Sequence, residues 1–296
     1  GRGSIAERNA KLILMVGVLG VSASAILVRF SQAPSGVTAA YRLGWTVLLL
    51  LPVVLLRCRA ELRRVTARDL VLCGASGVLL ALHFLTWFES LKRTSVASST
   101  VLVSTEVIFT ALGFALFLHG KIPRLGVWAI LLAFGGSALL ALSGGGGAGE
   151  LSGNLLALAA ASAAAVYTLI GRIQRGHLST TVYTFLTYLA CFLTLLLGTA
   201  AAGTPLTGYG GREWLIGLAL AVLCTLLGHS LFSWCLKYLS PSYVSAAKLC
   251  EPVFSSLAAI PLFGEVPGPL QLAGGAAVLG AVLLYTWAER EKTPAG

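Results

Sequence analysis

Apolar runs of about 20 residues recur along this chain, each closed by a short polar turn. At 1.5 Å per residue such a run crosses about 30 Å of hydrocarbon as a helix. Ten runs are readable, at 11–30, 36–56, 69–91, 96–118, 123–143, 152–171, 179–202, 213–236, 242–263 and 267–288. They leave no room for a soluble domain, and only 11% of residues are charged, against about 25% in soluble domains. The first run continues as a full span rather than stopping at the length of a cleavable leader. Pro34, Pro123, Pro205, Pro241 and Pro267 fall at or beside the turns. The expected fold class is therefore an all-α integral membrane protein with ten transmembrane helices.

The net charge of +10 comes from residues in those turns, where membrane topology places basic side chains, and so does not call for nucleic acid. With the N-terminus inside, 15 Lys and Arg residues fall on the inner side. Only Arg29, Lys92, Arg93 and Arg212 fall outside, while Arg42 and Lys248 lie within spans. Both termini are expected to be cytoplasmic. The six cysteines are scattered, mostly inside spans, and read as packing residues rather than metal ligands.

The chain divides at GGGGAGELSG. The expected organisation is a tail (1–10), a first five-helix repeat (11–143), a Gly-rich linker (144–151), a second five-helix repeat (152–288) and a tail (289–296). SLKRTSVASSTVLVSTEVIF (90–109) lies over CLKYLSPSYVSAAKLCEPVF (235–254) at an offset of 145. Lys92, Ser95 and Glu106 then meet Lys237, Ser240 and Glu251 in one register, a match of polar residues that apolar helices do not produce by composition. Five spans is an odd number, so the two repeats insert in opposite orientations. Inverted repeats are a recurrent architecture of secondary transporters.

The segments around Glu106 and Glu251 also resemble the repeated Glu-Pro-type signature of the drug/metabolite transporter superfamily, EamA type. AAYRLGWTVLLLLP (39–52) is similar to that family's second helix, with Arg42 at its arginine position. LLALAAASAAAVYTLIGR (155–172) is similar to the start of its second repeat. This chain has Glu106-Val107 in place of one Glu-Pro pair, and no tryptophan in spans 1 and 6. The resemblance covers residues 10–289. It implies a transporter of small metabolites, often an exporter of amino acids or related compounds, in a bacterial inner membrane. It also implies a lining drawn from spans 1, 3, 4, 6, 8 and 9, with spans 5 and 10 peripheral.

Ionisable groups at mid-membrane depth are the informative residues, because each is costly unless paired or facing water. Glu106 and Glu251 read either as cavity carboxylates that bind a cationic group or exchange a proton, or as structural contacts between the repeats. Lys248 shares a helix face with Glu251 and is a candidate ion-pair partner. Pro252 is a candidate helix kink. His83 and Trp87, four apart on span 3, are the preferred substrate-contact pair, with Tyr41, Tyr167, His229 and Trp234 as further candidates and packing as the plainer role for all of them. Arg42 could meet a substrate carboxylate, but the plainer role is to snorkel outward or to bond backbone carbonyls in a fixed structural role, with Glu89 as a candidate partner.

These residues point to a carrier that works by alternating access on a small-molecule substrate, with protons as a candidate coupling ion and no cofactor or catalytic residue implied. Amino acids are the favoured substrate class. Organic cations such as quaternary amines are the alternative, since aromatics beside a carboxylate suit them. An intramembrane enzyme would need a nucleophile–base pair or metal-ligand spacing that these spans do not present, and a passive receptor subunit leaves the buried glutamates unexplained.

Overall fold

A computed structural model describes residues 2–143, 148–174, 177–228, 231, 235 and 247–291, and among these the chain is helix and turn without a strand. The helices are α1 (Arg2–Phe30), α2 (Ser35–Arg57), the single turn α3 (Arg59–Leu62), α4 (Ala67–Arg93), α5 (Val96–Val103), α6 (Glu106–Phe117), α7 (Arg124–Leu142), α8 (Ala148–Gln174), α9 (Thr180–Ala201) and α10 (Gly211–Ala219). A π-helical stretch, Leu220–Leu227, continues α10, and α11 (Cys250–Phe263) and α12 (Pro269–Glu291) follow. Eight described stretches are long and apolar enough to span a membrane alone. α10 with its π extension, and α11, stand at the other two expected spans.

Local chemistry sets the starts. Thr66 and Asp69 form a reciprocal capping box at α4, and the hydroxyls of Ser95 and Ser179 accept from the third amide of α5 and α9. Pro34 and Pro123 stand just before α2 and α7, where no amide donor is needed.

Several boundaries differ from those expected. α1 runs through the expected tail at 1–10, α8 begins inside the expected linker, and α12 continues past residue 288. Hydropathy marks where a helix leaves hydrocarbon, and helical hydrogen bonding continues beyond that point. The expected fourth span is two helices, α5 and α6, separated by a turn at Ser104 and Thr105.

Helix packing repeats the internal symmetry. α1 packs on α11 and on the π stretch, and its counterpart α8 packs on α5, α6 and α4. α4 packs on α9 just as α10 and the π stretch pack on α2. The pairs α2–α9, α5–α11 and α7–α12 each join an element to its own counterpart. Exchanging the two repeats therefore returns these main packings, as a pseudo-two-fold axis between inverted halves requires. α7 and α12 meet closely: a Cβ on Gly136 would lie 3.1 Å from the Gly274 carbonyl oxygen, and one on Gly274 would lie 3.0 Å from that of Gly136. Glycine at both positions is what lets the two backbones touch.

Candidate functional site

Where the repeats meet, a cavity of about 440 Å³ opens in the middle of the bundle. Its wall includes Arg42 from α2, His83, Phe84 and Trp87 from α4, Glu106 from α6, Tyr167 from α8, Tyr188 from α9 and Thr225 from the π stretch. Lys248, Glu251 and Pro252, around the start of α11, complete its polar side.

Both glutamates sit at the start of a helix after an interruption. Glu106 is in the first turn of α6, directly after the turn at Ser104 and Thr105. Glu251 is in the first turn of α11, after a turn at Leu249. Unsatisfied amides and the positive end of the helix dipole favour a carboxylate at such a position. Lys248 acts electrostatically on both glutamates, and Glu251 is also within electrostatic reach of Glu106 and Arg42. The interruption in this region falls at Leu249, before Pro252, so Pro252 occupies the first helical turn that follows it.

The interruption at Ser104 and Thr105 is well supplied with hydrogen bonds. The Thr105 amide donates to the Leu102 carbonyl at 3.2 Å, as does the Thr105 hydroxyl at 2.6 Å. The Ser104 hydroxyl donates to the Thr100 carbonyl at 2.9 Å.

His83 is held across the repeats. Its Nδ1 lies 2.9 Å from the Ala160 carbonyl oxygen of α8. A carbonyl only accepts, so Nδ1 carries a proton, and in the neutral ring Nε2 is left as an acceptor. Trp87, one turn on, stacks near His83 with ring centroids 5.9 Å apart.

Arg42 is buried, with 7% of its surface exposed. Its Nε donates to Thr225 Oγ1 at 3.0 Å, and its guanidinium carbon lies 4.6 Å from the centroid of the Phe84 ring. The expected partner Glu89 is engaged elsewhere, accepting from Ser35 Oγ at 2.8 Å and pairing with Arg93 at 3.2 Å. Arg42 therefore turns into the bundle and does not snorkel outward.

Of the expected site residues, His83, Trp87, Glu106, Tyr167, Lys248, Glu251 and Pro252 share this cavity. Tyr41 lies outside it. Its ring stacks on Trp214 at a centroid distance of 3.8 Å and its hydroxyl donates to the Leu206 carbonyl. Adjacent helical residues diverge by about 100°, so Arg42 and Tyr41 face different ways. His229 and Trp234 lie outside the described residues. Tyr188 and Thr225 were not anticipated. A tyrosine in the middle of span 7, away from the interfacial belts where tyrosines gather, is the signal that marks the first, and nothing in the local pattern marks the second.

Toward the end of the bundle that carries residues 31–34 and 264–268, a set of polar bonds joins the two halves. Arg29 pairs with Glu265 at 2.6 Å, and Glu265 also accepts from the Val96 amide at 2.8 Å. Glu213 accepts from Ser31 Oγ at 2.7 Å and from the Gln32 amide at 2.9 Å. Arg212 donates to the Phe30 carbonyl at 2.9 Å, and Thr94 Oγ1 to Asn154 Oδ1 at 2.8 Å.

The EamA-like transporter family signature matches residues 9–142 and again residues 151–287, one match for each repeat. The chain belongs to this family. It is 24% identical over 207 residues to the pseudopaline exporter CntI of Pseudomonas aeruginosa, covering 70% of this chain and 72% of the relative. It is 28% identical over 233 residues to a probable terminal-alkyne amino-acid exporter of Streptantibioticus cattleyicolor, covering 75% of each chain. A crystal structure with 20% sequence identity superposes with a TM-score of 0.63 over 97% of this chain and 99% of the other, and so shares the fold. The EamA-like chain described here is thus a multi-pass membrane protein of a transporter family, built as two repeats around a buried polar cavity.

Proposed function

We propose that the protein is a secondary carrier, not an enzyme, that exports amino acids or related small metabolites by alternating access. The observation that carries this reading is the gathering of Arg42, His83, Trp87, Glu106, Lys248 and Glu251 in one cavity on the pseudo-two-fold axis. Charged groups at this depth are retained where they face a substrate or ion path. The relatives whose names include the word exporter support the direction and the substrate class. The charge distribution supports cytoplasmic termini, and the bacterial relatives support a bacterial inner membrane. Rocking the repeats about the cavity would break the polar bonds at the Arg29–Glu265 end and open that side. Glu106 and Glu251 serve as the proton-exchanging pair.

A second reading, carriage of organic cations, is favoured by the rings of Phe84, Trp87, Tyr167 and Tyr188 beside the two carboxylates. Purified protein in liposomes separates the two when challenged with labelled amino acids and with choline, with and without a pH gradient. Amino-acid flux that follows the gradient is the expected result, and choline flux alone would replace the first reading with the second. Glu106→Gln is expected to abolish the dependence on the gradient. If flux and its pH response survive that change, Glu106 is not the proton carrier.

A further inference from the structure

Three buried polar groups in the cavity wall have no partner among the described residues: the Ser24 hydroxyl, Arg42 Nη1 and Trp87 Nε1. Of these, the two N–H donors belong to Arg42 and Trp87, residues that are 7% and 6% exposed. A buried donor without an acceptor is costly, more so when it belongs to a cation, and native structures keep few of them. These two come from different helices and reach the same cavity at the same depth. Arg42 is about 10 Å along α2 from Ser35, and Trp87 is about 9 Å back along α4 from Arg93, at 1.5 Å per residue. Both starting points lie at the Arg29–Glu265 end. Glu106 and Glu251 lie one to two turns deeper, about 15 to 18 Å from Val96 and Phe263 at the same end.

Arg42 is already oriented. Thr225 takes its Nε and Phe84 lies under its face, so a planar fork is held with an Nη1 donor left over. A guanidinium fork is matched in shape to a carboxylate. The formal charges of the wall also balance, with Arg42 and Lys248 against Glu106 and Glu251. A wall that is neutral overall, with a donor-rich end and a carboxylate-bearing end, complements a ligand that is itself neutral overall and dipolar.

We propose that Arg42 and Trp87 are specificity-determining residues that receive the carboxylate of a zwitterionic, amino-acid-type substrate, whose ammonium group points toward Glu106 and Glu251. This rests on the carrier reading for its physiological meaning, but the binding site itself is testable without transport. The test uses thermal-shift titration of detergent-purified protein with two matched series. One is leucine, isopentylamine and 4-methylpentanoate; the other is phenylalanine, phenethylamine and 3-phenylpropanoate.

In at least one series the wild-type protein should bind the amino acid about 10-fold more tightly than the amine that lacks its carboxylate. Arg42→Gln should weaken the amino acid about 30-fold and leave the amine within about 2-fold. Trp87→Phe keeps an aromatic ring but removes the donor and part of the indole's bulk. The amine controls for the bulk, because lost packing weakens both ligands and a lost donor only the amino acid. This variant should cost about 10-fold on the amino acid alone. Equal or tighter binding of the amines, no binding of any carboxylate-bearing probe, or unchanged amino-acid affinity in both variants overturns the proposal. Amino-acid binding that Arg42→Gln weakens, without flux in liposomes, removes the carrier reading and leaves this site standing. Flux with no preference for the carboxylate does the reverse.

Discussion

The Arg29–Glu265 end of the bundle and the cavity beneath it treat polar groups in opposite ways. At the end, Glu213 takes two donors, Glu265 takes a guanidinium and a helix amide, and Thr94 meets Asn154. About two turns deeper, Arg42 Nη1 and Trp87 Nε1 are buried and unmatched. The same chain, under the same physics, matches these polar groups at its end and leaves Arg42 Nη1, Trp87 Nε1 and the Ser24 hydroxyl unmatched where the repeats enclose a space. Contacts of the first kind contribute to stability. Those of the second kind cost stability, a cost that the proposed carboxylate ligand would offset.

Stability measurements can break this contrast. The largest effect is expected from Glu213→Ala, which removes two charge-assisted bonds and strands the Gln32 amide, while the Ser31 hydroxyl keeps Thr38 Oγ1. It should lower stability by about 3 kcal/mol in detergent unfolding. A variant as stable as the parent would show that this end does not hold the halves together. Arg29→Gln combined with Glu265→Gln should cost less, about 1 kcal/mol, because both side chains are 21% exposed and water screens the pair. An effect no larger than this, up to about 1 kcal/mol, is expected from Trp87→Phe, which trims a buried indole but removes a donor that bonds to nothing. A loss as large as that of Glu213→Ala would mean that Nε1 has a structural partner, and the contrast would fail.

How much of this was legible in the sequence depends on how rare each signal is in a membrane chain. Ten apolar runs declare the spans because length alone decides whether a segment reaches across hydrocarbon. Glu106 and Glu251 declare the repeat because a carboxylate in an apolar run stands out. Arg42 was visible as a charge at depth, yet its cradle was not. Thr225 looks like any other threonine in a span, and only the fold brings it to Nε. The π stretch LAVLCTLL contains no proline or glycine that would set it apart from an ordinary helix. Tyr41 and Tyr167 looked alike in the sequence, and only the helical phase sends one to Trp214 and the other to the cavity.

The two interruptions beside the glutamates solve one problem in two ways. A helix that breaks inside hydrocarbon exposes amides and carbonyls where no water can reach them, at several kcal/mol for each orphan. At Ser104 and Thr105 the first repeat covers its carbonyls with side-chain hydroxyls. The second repeat places Pro252 in the turn after its break, and so dispenses with one amide that would need a partner. One half supplies the missing partner and the other deletes the group that would have wanted it. The symmetry of the protein therefore lies in where it bends, while the chemistry that lets it bend is particular to each half.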